Sequence, residues 1–378
     1  MIYMDYAAGA PLAPEVLEVM LPWLAGRTGN PSSIHAFGRE ARGAIDDARD
    51  VLAQLLQVDY AGITFCSGGT EADNLALYGV MHSTKKNKNH LIISAVEHHA
   101  VLRSAMHLKK EGFELTVLPV DSDGRVNPVT LEDALSERTA LVSVMLANNE
   151  VGAIQDVARM VKIAHSHGAL FHTDAVQSFG MLPLHLSGIG CDLASISSHK
   201  IYGPQGVGAL YVRPGVNIAP LLHGGAQERQ RRPGTENVAG IVGFARAAQL
   251  AESLREGEYA RLTDLRDAFI RELEESIPGL RLNGPRRGRL PGNVNISIAG
   301  IEGQAALVCL DREGIASSSG SACSSGSLEP SHVLQALGLP PETASGGIRF
   351  SMGRSTTAGE VHEVVKTLAS IVTRLSIR

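Results

Sequence analysis

Short apolar stretches alternate with amphipathic stretches along the first 212 residues of this chain. Apolar runs bounded by turn residues predict buried strands, and the spacing of apolar residues between them predicts helices. The predicted strands are 62–66, 90–96, 115–120, 140–146, 169–172, 193–196 and 208–212. The predicted helices are 14–24, 38–57, 70–80, 102–110, 131–137 and 157–167. Apolar strands that alternate with helices indicate an α/β fold whose mostly parallel sheet is covered on both faces.

The pattern changes after residue 212. A long helical region runs from Val238 to about Ser276, and a turn rich in Gly, Pro and Arg follows at Asn283 to Gly292. Beyond it, polar and apolar residues alternate over 293–298, as in a half-buried strand. The remaining predicted elements are 304–311, 333–337, 348–352 and 359–375. We therefore predict a large domain over 15–250 and a smaller α+β domain formed by 1–14 and 251–378.

Composition excludes several classes of protein. The chain has 378 residues and a formal net charge of -5, which argues against nucleic acid as its main partner. No apolar run reaches the roughly 18 residues that a membrane span requires, and the first residues lack the features of a secretory signal. We expect a cytoplasmic protein with no membrane partner.

The four cysteines are widely spaced and form no Cys-x-x-Cys pair. This spacing disfavours a structural zinc site and a disulfide framework. Cys66, Cys191 and Cys309 lie in predicted strand or helix contexts, where free cysteine usually packs as a small apolar residue.

Polar clusters follow five of the predicted strands. In parallel sheets, ligands bind beyond the carboxyl ends of the strands. We therefore expect one site built from Ser67–Thr70, His98 with His99, Asn148 with Asn149, Asp174 with Gln177, and Ser197–Lys200. The alternative is five unrelated polar turns.

The turn at Gly68, Gly69 and Thr70 leads into a predicted helix. Free N–H groups and the helix dipole make such a turn a candidate anion site, although an ordinary helix start has the same pattern. No Gly-Lys-Ser/Thr or Gly-x-Gly-x-x-Gly sequence accompanies it, so neither a nucleotide-triphosphate loop nor a nicotinamide oxidoreductase is expected.

Lys200 lies in Ser197-Ser-His-Lys-Ile-Tyr-Gly-Pro204, at the end of a predicted strand. Most lysines are surface charges, but enclosure by small polar residues suits a lysine that forms a Schiff base.

A lysine, an aspartate, an imidazole and an anion site together fit pyridoxal 5′-phosphate. Asp174 would then pair with the pyridinium nitrogen, although it could instead be a helix N-cap. His98 could stack on the ring, and His99 is more simply a structural neighbour.

A second candidate group is a thiol in the Ser/Gly-rich stretch 317–326, which contains Cys323. A flexible segment with an exposed thiolate could reach a pocket, attack a sulfur atom and carry the product away. The alternative is a linker with an incidental cysteine.

These residues resemble the cysteine desulfurases of the NifS and IscS type, within the class-V aminotransferase family of fold-type I pyridoxal-phosphate enzymes. The resemblance covers nearly the whole chain. The matching motifs are Gly29-Asn-Pro-Ser-Ser33, Ser67-Gly-Gly-Thr-Glu-Ala-Asp-Asn74, Glu97-His98, Asn148-Asn-Glu150, Asp174-Ala-Val-Gln177, Ser197–Pro204, Arg232-Pro-Gly-Thr-Glu-Asn237, Gly320-Ser-Ala-Cys323 and Ile348-Arg-Phe-Ser351.

The resemblance implies a seven-stranded sheet and a role for each matching residue. Lys200 would hold the cofactor and move the α-proton, and His98 would stack on the ring and aid proton transfer. The remaining cofactor contacts implied are Gly69, Thr70, Asn149, Asp174, Gln177, Ser197, His199 and, from the partner subunit of a homodimer, Thr235. Asn30 and Arg349 would hold the substrate carboxylate.

The implied reaction converts L-cysteine to L-alanine and leaves the sulfur on Cys323 as a persulfide. An acceptor protein for iron–sulfur cluster assembly or tRNA thiolation would then take the sulfur. No resident metal is implied, although Cys323 could be a transient iron–sulfur ligand.

The chain departs from the family pattern in two places. Gly9 and Ala10 stand where relatives usually carry threonines, and the chain ends at Arg378 without a longer tail.

Other functions remain open at this point. A selenocysteine lyase or another class-V enzyme would share most of these residues, although the Cys323 segment argues against an aminotransferase. A catalytically silent sulfur carrier or scaffold protein is a further alternative from a different class.

Overall fold

The computed structural model describes residues 1–85, 87–319 and 330–376. Within them the strands are β1 (Ile2–Tyr3), β2 (Ile63–Cys66), β3 (His90–Ser94), β4 (Glu114–Leu118), β5 (Thr139–Ser143), β6 (Leu170–Asp174), β7 (Leu193–Ser197), β8 (Gly208–Val212), β9 (Leu280–Leu282), β10 (Asn293–Ile298), β11 (Ile315–Ala316) and β12 (Ile348–Ser351). The helices are α1 (Pro14–Ala25), α2 (Ala36–Leu56), α3 (Gly69–Ser83), α4 (His99–Lys110), α5 (Pro128–Ala134), α6 (Val157–Ser166), α7 (Leu186–Ile189), α8 (Val238–Ser276), α9 (Gly303–Arg312), α10 (His332–Ala336), α11 (Pro341–Ser345) and α12 (Ala358–Ser376).

Seven strands form the main sheet, in the order β2-β8-β7-β6-β5-β3-β4. Strand β8 runs antiparallel to both of its neighbours, and the pairs β7–β6, β6–β5, β5–β3 and β3–β4 are parallel. Every residue of β3, β5, β7 and β8 is buried. The α/β architecture with a mostly parallel seven-stranded sheet is therefore confirmed.

A second sheet, with the order β12-β10-β9, is antiparallel. It packs with helices α8, α9 and α12 around a core of its own, which contains Phe269, Val294, Ile348 and Phe350. Met4 belongs to this core although it lies near the N-terminus. The division of the chain at residues 14 and 250 stays a prediction, and the 39-residue helix α8 runs through the second of these positions.

The structure differs from the sequence interpretation in the burial of β10, whose six residues are all buried although the alternation predicted a half-buried strand, and in short elements. Strands β1 and β11 pair in parallel, Ile2 opposite Ile315 and Tyr3 opposite Ala316, and two-residue strands leave no periodic signal. Cys191 is buried, but it lies in the segment between α7 and β7 and so belongs to neither a strand nor a helix. Over the described residues, no helix combines the length and the apolar character that crossing a membrane requires.

Candidate active site

A cavity of about 270 Å³ lies where strands β5, β6 and β7 of the main sheet end. Ten of the predicted site residues line this cavity. They are Gly69, Thr70, His98, Asn149, Asp174, Gln177, Ser197, His199, Lys200 and Arg349. These residues come together because the carboxyl ends of parallel strands lie side by side at one end of the sheet.

The N-terminus of α3 forms one wall of the cavity. Gly68 precedes the helix with φ 149° and ψ -174°, and no side chain caps the first turn. A Cβ on Gly69 would lie 2.8 Å from a methyl group of Val176, so only glycine lets the backbone approach so closely here. The free N–H groups and positive end of this 15-residue helix suit a bound phosphate.

Two further polar groups lie beside this helix start. Ser197 ends β7, and its hydroxyl lies 3.0 Å from Nδ1 of His199. Burial, with a smaller effect of the Lys200 ammonium, lowers the pKa of His199 to about 4. The imidazole is therefore neutral at neutral pH, and it can donate a hydrogen bond to an anion without a charge of its own.

Lys200 reaches the cavity from the short 3-10 turn that follows β7. Its Nζ donates hydrogen bonds to the carbonyl oxygens of Ala7, at 2.6 Å, and Ala8, at 2.8 Å. Gln177 also donates to the Ala7 carbonyl, at 3.0 Å. The N-terminal segment therefore forms part of the cavity wall beside the lysine.

Asp174 is the last residue of β6 and is 5% exposed. Burial raises the pKa of its carboxyl group to about 6, against the opposing effects of the Val176 N–H and the Lys200 ammonium. A buried carboxyl group with a raised pKa is stabilised by a cation placed next to it. A protonated pyridine nitrogen would provide such a cation.

His98 caps the N-terminus of α4, and its Nδ1 accepts a hydrogen bond from the Ala100 N–H at 3.1 Å. Nδ1 therefore carries no proton, and the neutral ring has its proton on Nε2. Burial, together with Lys200 and His332, lowers the pKa of His98 to about 4. A neutral imidazole in a cavity wall suits stacking against an aromatic ring.

Arg349 comes from β12, in the second sheet, and is 2% exposed. It donates to the backbone carbonyl of Asn149 at 3.2 Å, and its Nη2 lies 2.8 Å from Oδ1 of Asp5. A guanidinium group in a cavity is a suitable partner for a carboxylate because its N–H groups match two oxygens at once.

Three predicted site residues are not brought to this cavity by the described chain. Asn30 and Thr235 are exposed and do not line it. The Asn30 side chain instead accepts a hydrogen bond from Ser32, 2.9 Å away. Cys323 lies outside the described residues.

The sequence interpretation assigned no site role to several residues of the wall. Asp73, Glu150 and His332 line the cavity, as do Ala7 and Ala8. Asp73 follows Thr70 by three positions, so the helical period could have placed both on one face of α3. His332 and the two alanines carry no such local signal.

The donor set fits pyridoxal phosphate. The α3 N-terminus with Ser197 and His199 matches a phosphate, the Asp174 carboxylate a pyridinium nitrogen, and the Lys200 amine an aldehyde. Among the residues described, no cluster of three or more His, Cys, Asp or Glu side chains could hold a metal ion.

Comparisons with known proteins agree with this geometry. The family model for aminotransferase class-V matches residues 2–364. The chain is 51% identical to the cysteine desulfurase IscS of Dictyoglomus turgidum, over 99% of this chain and 95% of that protein. It is 46% identical to the cysteine desulfurase IscS of Methanosarcina thermophila, over 99% and 92%.

Solved structures show the same similarity. A NifS-like protein superposes with a TM-score of 0.93 at 37% identity. The match covers 98% of this chain and 99% of the NifS-like chain. A structure described as SspA in complex with cysteine superposes with a TM-score of 0.82 at 33% identity, over 93% of this chain and 99% of that one.

Proposed function

This chain belongs to the class-V aminotransferase family, and we propose on that premise that it is a pyridoxal-phosphate-dependent cysteine desulfurase. The observation that carries the proposal is the single cavity that joins Lys200, Asp174, His98 and the α3 N-terminus to the guanidinium group of Arg349. A cofactor-binding lysine and a carboxylate-binding arginine in one cavity would define a site for an amino acid.

We assign the phosphate to the first turn of α3, with Gly69 and Thr70, and to Ser197 and His199. Asp174 keeps the pyridine nitrogen protonated, because a buried carboxylate and a cation stabilise each other's charge. Gln177 and Asn149 face the same cavity and orient the ring. When bound, the cofactor accepts the electron pair released at the substrate α-carbon.

Lys200 holds the cofactor and then takes and returns the proton of the α-carbon. His98 would pack on the ring as a neutral imidazole and exchange a proton through Nε2. Arg349 binds the α-carboxylate of L-cysteine and so fixes the direction in which the thiol group points.

Cys323 is the proposed sulfur acceptor. Its thiolate attacks the sulfur of L-cysteine, a sulfur–sulfur bond forms, and the carbon–sulfur bond breaks. A proton replaces sulfur on the substrate carbon, and L-alanine leaves. The persulfide on Cys323 then passes to an acceptor protein, for which we propose an iron–sulfur scaffold or a tRNA-thiolating enzyme.

We propose a homodimer to explain why two described site residues do not line the cavity of their own chain. Asn30 and Thr235 are exposed polar residues in loops, and we propose that Thr235 contacts the cofactor phosphate of a second copy. Sedimentation of the holoenzyme tests the dimer, and cell fractionation tests the predicted cytoplasmic location.

The deciding experiment compares wild type with Cys323→Ala and Lys200→Arg. Wild type should release L-alanine from L-cysteine and form a persulfide. Cys323→Ala should keep the visible absorption of the bound cofactor and lose both products. Lys200→Arg keeps the positive charge but should lose covalent attachment of the cofactor after borohydride reduction. A Cys323→Ala protein with undiminished turnover would contradict the assigned nucleophile, and a wild type that cannot take up the cofactor would support a silent carrier.

A further inference from the structure

Arg349, which lines the active-site cavity, forms an ion pair with Asp5, although 344 positions separate them in the chain. Nη2 of Arg349 lies 2.8 Å from Oδ1 of Asp5, and the side chains are 2% and 19% exposed. Charge-assisted hydrogen bonds of this length, with little exposure to water, are stronger than ordinary surface pairs.

Asp5 is held in place from both sides. Before it, β1 pairs with β11, and the Met4 side chain is fully buried in the second core. After it, the Ala7 N–H donates to the Ser351 hydroxyl at 2.8 Å, and the Ala7 carbonyl accepts from Lys200 and Gln177. The carboxylate is therefore fixed relative to both Arg349 and Lys200.

Among the described residues, Glu150 is a second carboxyl group close enough for Arg349 to act on it electrostatically, and it is the alternative partner. Its Oε2 accepts a hydrogen bond from the Ser331 hydroxyl at 2.5 Å, and burial raises the pKa of Glu150. Of these two carboxyl groups, Asp5 is the one that contacts the guanidinium group directly.

We propose that Asp5 is a positioning residue for the substrate: its carboxylate orients Arg349 so that the guanidinium group receives the α-carboxylate of an amino acid. The inference rests on the proposed function, because it takes an amino-acid carboxylate as the ligand of Arg349. It extends that function to the N-terminal segment, whose residues 5–8 link the carboxylate-binding arginine to the cofactor-binding lysine.

The mechanism of positioning is geometric. A guanidinium group can bind a carboxylate through two parallel N–H groups only when the ligand lies in the guanidinium plane, opposite one of its edges. The Asp5 carboxylate and the Asn149 carbonyl each accept from the guanidinium and fix that plane. Without Asp5, Arg349 would have to be ordered anew each time a substrate binds, which weakens binding.

The test measures amine binding by the holoenzyme through the visible absorption of its cofactor. L-Alanine, which has the α-carboxylate, is compared with ethylamine, which lacks it. In Asp5→Asn, which keeps an oxygen acceptor but removes the charge, the dissociation constant for L-alanine should rise roughly tenfold, the scale of losing the charge from one hydrogen bond. Ethylamine binding should stay within about twofold, because it makes no contact that depends on Arg349. The KM for L-cysteine should rise with the dissociation constant for L-alanine while kcat changes little.

Glu313→Gln is the matched control. It also removes the carboxylate of an ion pair with an arginine. That pair, between Glu313 and Arg374, is exposed and lies outside the cavity. It should leave both amines unaffected. Asp5→Ser is measured in parallel, so that a folding defect of one variant does not decide the result, and Asp5→Glu should restore part of the affinity for L-alanine.

Three results would overturn the proposal. They are unchanged or tighter binding of L-alanine by the Asp5 variants, equal weakening of both amines, and a wild type that binds L-alanine no better than ethylamine. A wild type that binds L-alanine selectively but releases none from L-cysteine would instead contradict the proposed function, and the role of Asp5 would still be decided.

Discussion

The backbones of Gly68 and Gly208 lie against each other: a Cβ atom placed on Gly208 would stand 2.7 Å from the Cα atom of Gly68. Gly208 begins β8, and Gly68 is the turn residue before α3. The start of β8, an inner strand of the main sheet, therefore sets the position of the first turn of α3, to which the phosphate of the cofactor is assigned.

A methyl group at position 208 should displace that turn. We expect Gly208→Ala to weaken cofactor binding at least several-fold, because overpacking costs about 1–3 kcal/mol and the Gly68 backbone must shift to relieve it. Titration of the apoprotein with pyridoxal phosphate measures the effect. Gly43→Ala is the control, since its Cβ would meet nothing within 4 Å, and it should leave the affinity unchanged. Equal affinities in the two variants would contradict the assigned phosphate site.

Asp174→Asn separates the two readings of this residue. The Oδ1 atom of Asp174 accepts a hydrogen bond from the Val176 N–H at 2.9 Å, and an asparagine can make the same bond. If the carboxylate also pairs with the pyridine nitrogen, the variant should bind the cofactor roughly 10- to 100-fold more weakly, since a charged hydrogen bond is lost. Asp156→Asn, at the N-cap of α6, should bind it normally. Normal affinity in Asp174→Asn would leave Asp174 as a turn residue only.

Glu97 should make the protein less stable as pH rises. Its side chain is fully buried, and burial raises the pKa of the carboxyl group to about 8, against hydrogen bonds from Ser94 and the Met145 N–H. The unfolded chain loses this proton near its ordinary pKa of about 4.3 while the folded chain keeps it. Stability is therefore full below that pH and falls between about pH 5 and 8, by at most about 1.4 kcal/mol per pH unit.

Glu97→Gln removes this titration and keeps the carbonyl acceptor. Denaturant unfolding of both proteins from pH 5 to 8 should show that the variant gains stability relative to wild type as pH rises. Asp73 and Asp174 titrate nearby and are present in both proteins. A stability difference that is independent of pH would show that Glu97 is ionised in the folded protein.

The buried ion pair of Arg49 and Glu228 should make a large contribution to the free energy of unfolding. The two side chains are 3% and 2% exposed, and Glu228 also accepts from the Phe65 N–H at 2.8 Å. Glu228→Gln leaves the guanidinium group buried without its counter-charge, so we expect a loss of about 3–5 kcal/mol in the free energy of unfolding. The exposed ion pair of Glu313 and Arg374 gives the comparison. Glu313→Gln should lower the free energy of unfolding by at most about 1 kcal/mol. Similar losses in both variants would mean that water reaches Arg49.

Several features of the fold could be predicted because they depend on local sequence. The strand Gly208–Val212, the strand Asn293–Ile298 and the helix Val238–Ser276 have the predicted bounds. Other bounds moved by a few residues, because helix ends depend on capping contacts that periodicity does not report. The helix predicted from residue 102 begins at His99, where His98 supplies the cap.

The site was predictable to the extent that a parallel sheet brings its strand ends together. Lys200 and His98 follow buried strands and Asp174 ends one, so the pattern of strands placed them together at the carboxyl ends of the strands. Arg349 follows no strand of that sheet, and only the family resemblance pointed to it.

By itself, the sequence determined the α/β class, the cluster at the strand ends and the family to which the chain belongs. Tertiary structure decided the rest of the cavity wall. It brought Asp5 to Arg349, Ala7 and Ala8 to Lys200, and it left Asn30 and Thr235 on the surface. The physical reason is that contacts between residues hundreds of positions apart depend on how the two sheets and the N-terminal segment pack. Local periodicity carries no information about that packing.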